Sequence, residues 1–355
     1  MNLLDVAPSE AQQLIATWVA ARGEPAYRAR QIFPWLWQRP VASWEDATDL
    51  PSSTVAALGQ AAPIPRLQLD TRQTSSDGTV KFLWRLPDGS SVESVLIPEG
   101  RRRTLCISSQ VGCAFGCVFC ATGRMGFTRN LDPWEIAAQL RELRLMPDFE
   151  KPTNVVFMGM GEPLHNWKAV DTALTILNDP SGLGIGARHI TVSTVGIIPN
   201  LARLAARPEQ FRLAISLHAA TSELRASLMP VERKYALDHL IPALSAFSRR
   251  VTFEYVMIEN VNDSRENAAT LAQLARQVGA LVNLLPLHPG RAPGFNTSPP
   301  ADIKRFARWL RDLGVRVTVR RSRGMDISAA CGQLRVERET ESASRPRMTV
   351  TSNSN

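Results

Sequence analysis

The sequence predicts an α/β fold whose main part is an incomplete (β/α)6 barrel. Strand-like apolar runs alternate with helical spans after Arg103, and this repetition favours βα units around a parallel sheet. There are six such runs, fewer than the eight strands of a closed (β/α)8 barrel. The runs cover residues 104–108, 154–158, 189–193, 212–217, 252–257 and 282–287, and a last strand is expected at 315–320.

The positions of the polar motifs support the same fold. Each motif lies at the carboxyl end of a predicted strand, and the motifs are a cysteine-rich loop, 159–163, 193–196, 216–218 and His288. In parallel βα barrels the functional groups gather at the carboxyl ends of the strands. The sequence therefore predicts a single site at one end of the barrel.

Two smaller regions precede the barrel. The first is predicted to be helical, and it mixes aromatic side chains with Arg28 and Arg30, which suit RNA phosphates. The second carries Asp77-Gly78 and Asp88-Gly89 between alternating apolar residues, which predicts a short antiparallel β-hairpin extension that includes Glu93. The predicted boundaries are 1–60 for a helical accessory domain, 61–100 for the extension, 101–336 for the barrel and 337–355 for a disordered tail.

Composition narrows the class of protein. The chain has 355 residues, of which 44% are hydrophobic, enough for a sizeable core. It has no long uncharged apolar run and no basic-then-apolar leader, so we expect neither a membrane span nor secretion. Five cysteines, three of them clustered, favour metal or catalytic use in a reducing cytoplasm. A net charge of +8 favours a polyanionic partner.

Three of the cysteines form a CxxxCxxC motif at Cys113, Cys117 and Cys120. Cysteine thiolates hold iron–sulfur clusters, and a cubane normally takes four of them. Three ligands in one short loop therefore predict a [4Fe–4S] cluster with one iron left open for a small molecule. Zinc is the alternative, but a structural zinc site usually takes four ligands, and only Cys106 and Cys331 remain to complete one.

Around this motif stand the runs TLCISSQVGC, GFTRNL, FMGMGEPL, ITVSTVG, ISLHA and DISAACGQL. Together they resemble the RlmN/Cfr family of radical S-adenosylmethionine (SAM) RNA adenine methyltransferases, and the adenine-C2 branch is the nearer match. The runs occur in order from about Glu93 to Leu334, so the resemblance covers most of the chain. It implies a TIM-type radical SAM barrel, a [4Fe–4S] cluster on the three motif cysteines, and S-adenosyl-L-methionine on the open iron.

The resemblance also implies roles for individual residues. Glu93 would accept a proton from the adenine ring, Cys331 would carry the methyl group, and Cys106 would be the partner of Cys331. Contacts to SAM are implied for Gly161, Glu162, Ser193, Ser216, Leu217, His218 and His288. His288 departs from the family pattern, which usually has asparagine there, so its hydrogen bonding would depend on pH.

The implied reaction methylates carbon 2 of adenosine, an aromatic carbon with no nucleophilic lone pair. Cys331 would take a methyl group from one SAM, and radical cleavage of a second SAM would join that carbon to adenine. Cys106 would then attack the sulfur of Cys331, leaving a Cys106–Cys331 disulfide for an external reductant. The implied substrates are 23S rRNA at the peptidyl-transferase centre and tRNA next to the anticodon. A flavodoxin-type electron donor and a monomeric enzyme are also expected.

Three other functions stay open at this point. A Cfr-type enzyme would methylate carbon 8 of adenine with the same cysteines. A radical SAM enzyme that acts on a protein or a small molecule would need neither Cys106 nor Cys331. A non-catalytic iron–sulfur or zinc protein would bind RNA without cleaving SAM.

Overall fold

The computed structural model describes residues 1–288, 294–320, 323–327 and 329. The helices are α1 (Pro8–Ala21), α2 (Tyr27–Ile32), α3 (Pro34–Trp37), α4 (Ser52–Ala61), α5 (Ala121–Arg124), α6 (Pro133–Leu145), α7 (Trp167–Asn178), α8 (Ile198–Ala205), α9 (Ser222–Leu228), α10 (Leu237–Leu244), α11 (Arg265–Gln277) and α12 (Pro300–Asp312). Short 3-10 helices occur at Trp44–Asp46, Ala187–His189, Pro230–Arg233 and Met325–Ile327.

The strands are β1 (Gln68–Thr74), β2 (Val80–Arg85), β3 (Ser91–Glu99), β4 (Arg102–Cys106), β5 (Gln110–Gly112), β6 (Phe127–Asn130), β7 (Asn154–Phe157), β8 (Ile190–Thr194), β9 (Arg212–Ser216), β10 (Val251–Met257), β11 (Leu281–Pro286) and β12 (Val317–Val319). Ten of them form one sheet in the order β1-β2-β3-β4-β7-β8-β9-β10-β11-β12, and β5 pairs with β6 alone.

The predicted barrel is confirmed by the pairing of its strands. In the part of the large sheet with the order β4-β7-β8-β9-β10-β11-β12, every neighbouring pair of strands is parallel. A helix lies between each of these strands and the next, which gives six βα units and a last strand. Among the described strands β1 and β12 are the two ends of the sheet, so the barrel is open.

The predicted hairpin extension is confirmed and is joined to the barrel. Strands β1, β2 and β3 are antiparallel, and β3 pairs with β4, the first strand of the parallel part. Both Asp-Gly pairs form the turns, where Gly78 and Gly89 have φ of +83°, a conformation that glycine adopts without strain. The extension therefore adds three strands directly to the barrel sheet.

The N-terminal helices pack on the barrel and share its hydrophobic core. One continuous set of buried apolar side chains includes Leu3 and Trp37 from this region and Leu105 and Phe157 from the barrel. Arg141 on α6 is fully buried, and it donates hydrogen bonds to the carbonyl oxygens of Leu36 at 2.8 Å and Val41 at 2.7 Å. None of the described helices is both long enough and apolar enough to span a bilayer.

Replacing Arg141 by Met should weaken this packing, because two buried carbonyl oxygens would lose their donors. We expect the free energy of unfolding to fall by about 2–4 kcal/mol, measured by chemical denaturation. Arg305→Met is the matched control, since its ion pair with Asp302 is exposed, and it should cost at most about 1 kcal/mol. Equal losses in the two variants would contradict a specific role for Arg141.

Candidate active site

Strand register places two of the predicted catalytic residues on one face of the sheet. Cys106 on β4 is paired with Val95 on β3 and with Val156 on β7, so these three side chains share a face. Glu93 lies two residues before Val95 and points to the same face, because side chains alternate along a strand. Cys106, Val95 and Val156 pack together, apart from the core beneath the helices, so this face lines the barrel interior.

The same inner face carries the predicted SAM-binding serines. The Oγ atoms of Ser193 on β8 and Ser216 on β9 are 3.4 Å apart. The register then continues from Ser216 to Glu254 on β10 and from Glu254 to Asn283 on β11. Asn283 donates a hydrogen bond to Glu254 at 2.8 Å. A polar row therefore crosses the interior, and sequence reasoning had missed its last two members.

The hairpin of β5 and β6 closes the loop that carries the three motif cysteines. Cys113 N donates to the carbonyl oxygen of Gly126 at 2.8 Å, and Val118 N donates to Leu228 O at 3.0 Å. Gly112 has a φ of +74°, and a Cβ atom there would lie 1.9 Å from the Gly126 oxygen. Only glycine allows this closure, which holds the loop beyond the carboxyl end of β4.

The three thiols are close enough to affect one another's ionisation. Burial raises the pKa of Cys113 to about 12, and the neighbouring Cys120 raises it further. Burial also raises the pKa of Cys117, with Cys120 and Cys113 adding to it. The thiols of Cys113 and Cys117 are therefore neutral until a positive charge, such as that of bound iron, stabilises the thiolates.

Within the described parts of the chain, no three His, Cys, Asp or Glu side chains converge as ligands of a single metal ion do. A cubane makes a different demand, because each cysteine binds a different iron at a separate corner of the cluster. Three thiols spread over one loop can each bind a different iron. Gly116, with a φ of +60°, turns the chain between Cys113 and Cys117.

The turn after β7 packs tightly against the segment that leads to the cysteine loop. Gly161 has a φ of +93°, and a Cβ atom there would lie 2.4 Å from Cβ of Gln110. Gln110 also accepts a hydrogen bond from Glu162 N at 2.8 Å. Gly159 N donates to Ile107 O at 3.0 Å. The glycines predicted in this turn therefore allow a close approach of two backbones beside the cysteines.

Glu162 is buried, with 3% of its surface exposed. Its carboxylate accepts hydrogen bonds from Val195 N at 2.8 Å and from Leu164 N at 2.9 Å. Burial outweighs these bonds and raises the pKa of Glu162 to about 7. The group is thus held near the midpoint of its titration at neutral pH, where a nearby cation favours the ionised form.

His218 follows β9 in a left-handed conformation, with a φ of 57°. Its Nδ1 accepts a hydrogen bond from Val256 N at 3.1 Å, so the proton of the neutral ring lies on Nε2. The ring packs edge-on against Phe119 of the cysteine loop, with ring centroids 4.7 Å apart. Burial, with a contribution from Arg225, lowers the pKa of His218 to about 3. His218 is therefore a neutral hydrogen-bond donor beside this loop.

Arg225 is a buried residue of this site that sequence reasoning missed. It donates to the carbonyl oxygen of Val195 at 2.7 Å and to that of Leu217 at 3.3 Å, and it forms an ion pair with Glu232. Arg225 therefore links the turn after β8 to the turn after β9. A single arginine in a short helix carries no sequence pattern that marks it as buried.

Three predicted residues remain to be located, and they are Leu217, His288 and Cys331. Leu217 is buried, and its N donates to Glu254 O at 3.1 Å. His288 is half-buried, two residues beyond the end of β11. Cys331 lies outside the described residues, although Ala329 packs against the patch that contains Cys106. No disulfide joins the four described cysteines, and the expected Cys106–Cys331 bond has no support from the structure because Cys331 lies outside the described residues.

Comparison with known proteins agrees with this geometry. Residues 107–272 match a model of the radical SAM superfamily, and residues 1–64 match a model of the ribosomal RNA large subunit methyltransferase N-terminal domain. A probable dual-specificity RNA methyltransferase RlmN from Gemmatimonas aurantiaca is 60% identical over 95% of this chain and 94% of its own length. The dual-specificity RNA methyltransferase RlmN from Anaeromyxobacter dehalogenans is 44% identical over 92% of this chain and 90% of its own.

The chain belongs to the RlmN family of radical SAM RNA methyltransferases. The fold agrees, because a crystal structure of a radical SAM methyltransferase from Sphaerobacter thermophilus superposes with a TM-score of 0.86. That chain is 45% identical, and the match covers 94% of this chain and 98% of that one. Membership in the family implies SAM and a [4Fe–4S] cluster as cofactors and RNA as substrate.

His218 should stay neutral in the folded protein down to about pH 4. Nitrogen NMR of ¹⁵N-histidine-labelled protein should show one ring locked as the Nε2–H tautomer while a model imidazole titrates near 6.5. Because the folded pKa lies below the unfolded one, this group lowers the stability of the fold as the pH falls through about 6.5. His218→Gln should therefore reduce the acid sensitivity of unfolding, and an imidazolium signal from His218 at pH 6 would contradict the assignment.

Proposed function

We propose that this protein methylates carbon 2 of adenosine in 23S rRNA and in tRNA through a methyl group carried on Cys331. The observation that carries the proposal is that Glu93 and Cys106 lie on the same inner face of the barrel. The cysteine loop follows the same strand that carries Cys106, and Ala329, two residues before Cys331 in the sequence, packs against the patch of Val95, Cys106 and Val156. A resolving thiol and a proton acceptor on one face can thus serve one substrate base, and we assign the methyl carrier to Cys331, which lies outside the described residues.

In this proposal Cys113, Cys117 and Cys120 would hold the [4Fe–4S] cluster, and the cluster would bind SAM. When bound, the cluster and SAM supply the radical that activates the methyl group on Cys331. The chain itself shields this chemistry, because Cys117 is buried and Phe119 packs on His218. Exclusion of water protects a radical from side reactions.

The SAM contacts we propose are Gly161, Glu162, Ser193, Ser216, Leu217, His218 and His288. Glu162 suits the cationic amino group, because an ammonium ion would favour ionisation of a carboxyl group whose pKa is about 7. The hydroxyl groups of Ser193 and Ser216 suit the ribose, since they lie 3.4 Å apart on the inner face. His218 offers an uncharged donor at Nε2, which keeps its hydrogen bonding constant across neutral pH.

We assign the other steps of the reaction to Cys331, Glu93 and Cys106. The thiolate of Cys331 accepts a methyl group from SAM, since thiolates and not thiols are nucleophilic. Glu93, which is 2% exposed, takes the proton that leaves the adenine ring. Cys106 then attacks the sulfur of Cys331, the bond from that sulfur to the methylene carbon breaks, and the carbon takes a proton to become the methyl group of the released base. An external reductant reduces the Cys106–Cys331 disulfide.

The RNA must present an unstacked adenosine, because the inner face of the barrel cannot admit a base held within a duplex. We assign RNA recognition to a helical domain of residues 1–60, joined by the extension 61–100 to a barrel of residues 101–336. A net charge of +8 supports binding of a polyanion. A flavodoxin-type protein is the electron donor in this account, and the enzyme acts as a monomer in the cytoplasm.

Mass spectrometry of nucleosides tests the proposed function. Reduced, reconstituted enzyme is incubated with SAM and with unmodified 23S rRNA or tRNA, and the RNA is digested to nucleosides. We expect 2-methyladenosine from both RNAs and none with Cys113→Ala, which lacks one cluster ligand. Formation of 8-methyladenosine would assign the Cfr-type activity instead, and the absence of any methyladenosine would refute the proposal.

Cys106→Ala should trap the reaction after the base is joined to Cys331, because the thiol that releases the product is gone. We expect protein covalently bound to RNA, seen as a shifted band on denaturing gels that disappears after ribonuclease treatment. Ser108→Ala is a nearby control that leaves the thiol in place, although it removes a hydroxyl bonded to Glu93 O. Normal product release by Cys106→Ala would assign the resolving role to another group.

A further inference from the structure

The cysteine loop has a second side that the proposed reaction does not use. On the inner side Phe119 packs on His218, with ring centroids 4.7 Å apart. Phe115, in the same loop, packs instead against His165 in the turn after β7, with ring centroids 5.5 Å apart. His165 is exposed. The loop therefore presents one aromatic ring to the barrel interior and another to the protein surface.

A third ring completes an aromatic cluster at this surface. Phe127 lies on β6, its ring centroid is 5.8 Å from that of His165, and 42% of its surface is exposed. We name Phe115, Phe127 and His165 the aromatic trio. Single exposed apolar side chains are ordinary, but a contiguous exposed group marks a binding surface. The trio is therefore a candidate for contact with a partner.

A buried glutamine and strand pairing hold the trio in a fixed arrangement. Gln110 is fully buried, and its Nε2 lies 3.0 Å from Nδ1 of His165 and 2.8 Å from Oδ1 of Asn130. Phe127 is fixed by the pairing of β6 with β5, where it lies opposite Gly112. A preorganised surface loses little conformational freedom when a partner binds, so binding costs less free energy.

The trio borders one of the proposed cluster ligands. Phe115 is two residues after Cys113 in the sequence, and Cys113 N donates to the carbonyl oxygen of Gly126, the residue before Phe127. Cys113 is half-buried, whereas Cys117 is buried. A cluster ligand therefore comes close to the surface beside the trio. Electron transfer slows steeply with distance, so a donor that docks on the trio has a short route to the cluster.

The charge of this region indicates the kind of protein that fits it. Residues 110–130 contain two arginines, Arg124 and Arg129, and no acidic residue. Arg129 is paired with Asp88 and Glu135, while Arg124 is exposed, three residues before Phe127. Aromatic and arginine side chains supply most of the binding energy at protein interfaces, and a positive charge at the rim is complementary to an acidic partner.

RNA is also acidic, but the proposed reaction places it elsewhere. The target base has to reach Glu93 and Cys106 on the inner face, whereas the trio lies at the surface beside the loop. A radical formed without a bound substrate is wasted in side reactions. The electron therefore has to arrive while RNA occupies the barrel, and a separate surface for the donor allows this.

We propose that the aromatic trio and Arg124 form the docking surface of an acidic one-electron donor protein of the flavodoxin type. This inference rests on the proposed function, because a donor is needed only if a reduced cluster cleaves SAM. In each docking event the donor loses one electron and the cluster gains it, and no bond forms between the two proteins. The inference thus assigns the partner of the reaction to one surface of the chain.

Two variants weaken the docking surface in different ways, and each has a matched control. Phe127→Ser removes the exposed ring, and its control is Leu69→Ser on β1, because Leu69 is also 42% exposed. Arg124→Gln removes the charge, and its control is Arg308→Gln on α12, because Arg308 is also exposed. Arg124→Gln changes no buried group, so it tests the surface even if Phe127→Ser folds poorly.

The primary measurement is the Kd for a bacterial flavodoxin, obtained by anaerobic calorimetry with the reconstituted enzyme. Oxidised flavodoxin is used, since it binds without transferring an electron. We expect the Kd to rise about tenfold in Phe127→Ser and about threefold in Arg124→Gln, because a central ring carries more binding energy than a rim charge. The two controls, and saturating RNA added to the unaltered enzyme, should leave the Kd unchanged. Added salt should weaken binding less in Arg124→Gln than in the unaltered enzyme.

Activity with two electron sources provides a second measurement. RNA methylation is driven by reduced flavodoxin or by dithionite, which is small and needs no docking surface. With flavodoxin below its Kd, we expect the rate of Phe127→Ser to fall about tenfold. With dithionite, the rate and the KM for RNA should match those of the unaltered enzyme, as should the iron content and the Tm.

The possible results separate this inference from the proposed function. A raised KM for RNA in Phe127→Ser with dithionite would assign the trio to RNA and overturn the docking surface. An unaltered Kd for flavodoxin in both variants, or no binding of flavodoxin by the unaltered enzyme, would also overturn it and leave the proposed function intact. If the unaltered enzyme methylates no RNA with dithionite, the proposed function itself is refuted.

Discussion

The position of β4 between an antiparallel and a parallel neighbour is the constraint on which the site depends. One side of this strand pairs with β3 of the extension and the other with β7 of the barrel. The register on both sides places Cys106 between Val95 and Val156, and with them Glu93 comes to the inner face. A shift of one residue in either pairing would turn these side chains toward the helices. The extension is therefore part of the sheet that carries the candidate active site.

Buried charge around the site is balanced by backbone groups more than by exposed ion pairs. Glu162 accepts from two backbone amides, and Arg225 donates to two carbonyl oxygens while it is paired with Glu232. Both residues link turns that follow different strands. Because a buried polar group without a partner is costly, each of these side chains fixes the relative position of the turns it joins. The result is a rigid set of turns around the cysteine loop, which suits a reaction that must hold a radical away from water.

Much of this fold follows from the sequence, because its causes are local. Apolar runs of strand length predicted the six βα units, and Asp-Gly pairs predicted the hairpins. Both features are present. Cysteine spacing and glycine-rich turns placed the site at the carboxyl ends of the strands. Contacts between distant segments could not be predicted: the bonds of Arg225, the pairing of Glu254 with Asn283, and the approach of Asp326 to Ser75. Polar residues of these kinds are usually exposed, and only the assembled fold shows that they are buried or bonded.

The central claim is that three cysteines in one loop leave a single iron open for SAM. Mössbauer spectroscopy of the anaerobically reconstituted, ⁵⁷Fe-labelled protein tests it most directly. The claim predicts one [4Fe–4S] cluster per chain, in which one iron of the four changes its isomer shift and quadrupole splitting when SAM is added. A cluster whose four irons are unaffected by saturating SAM, or a protein that binds zinc and no cluster, would contradict it.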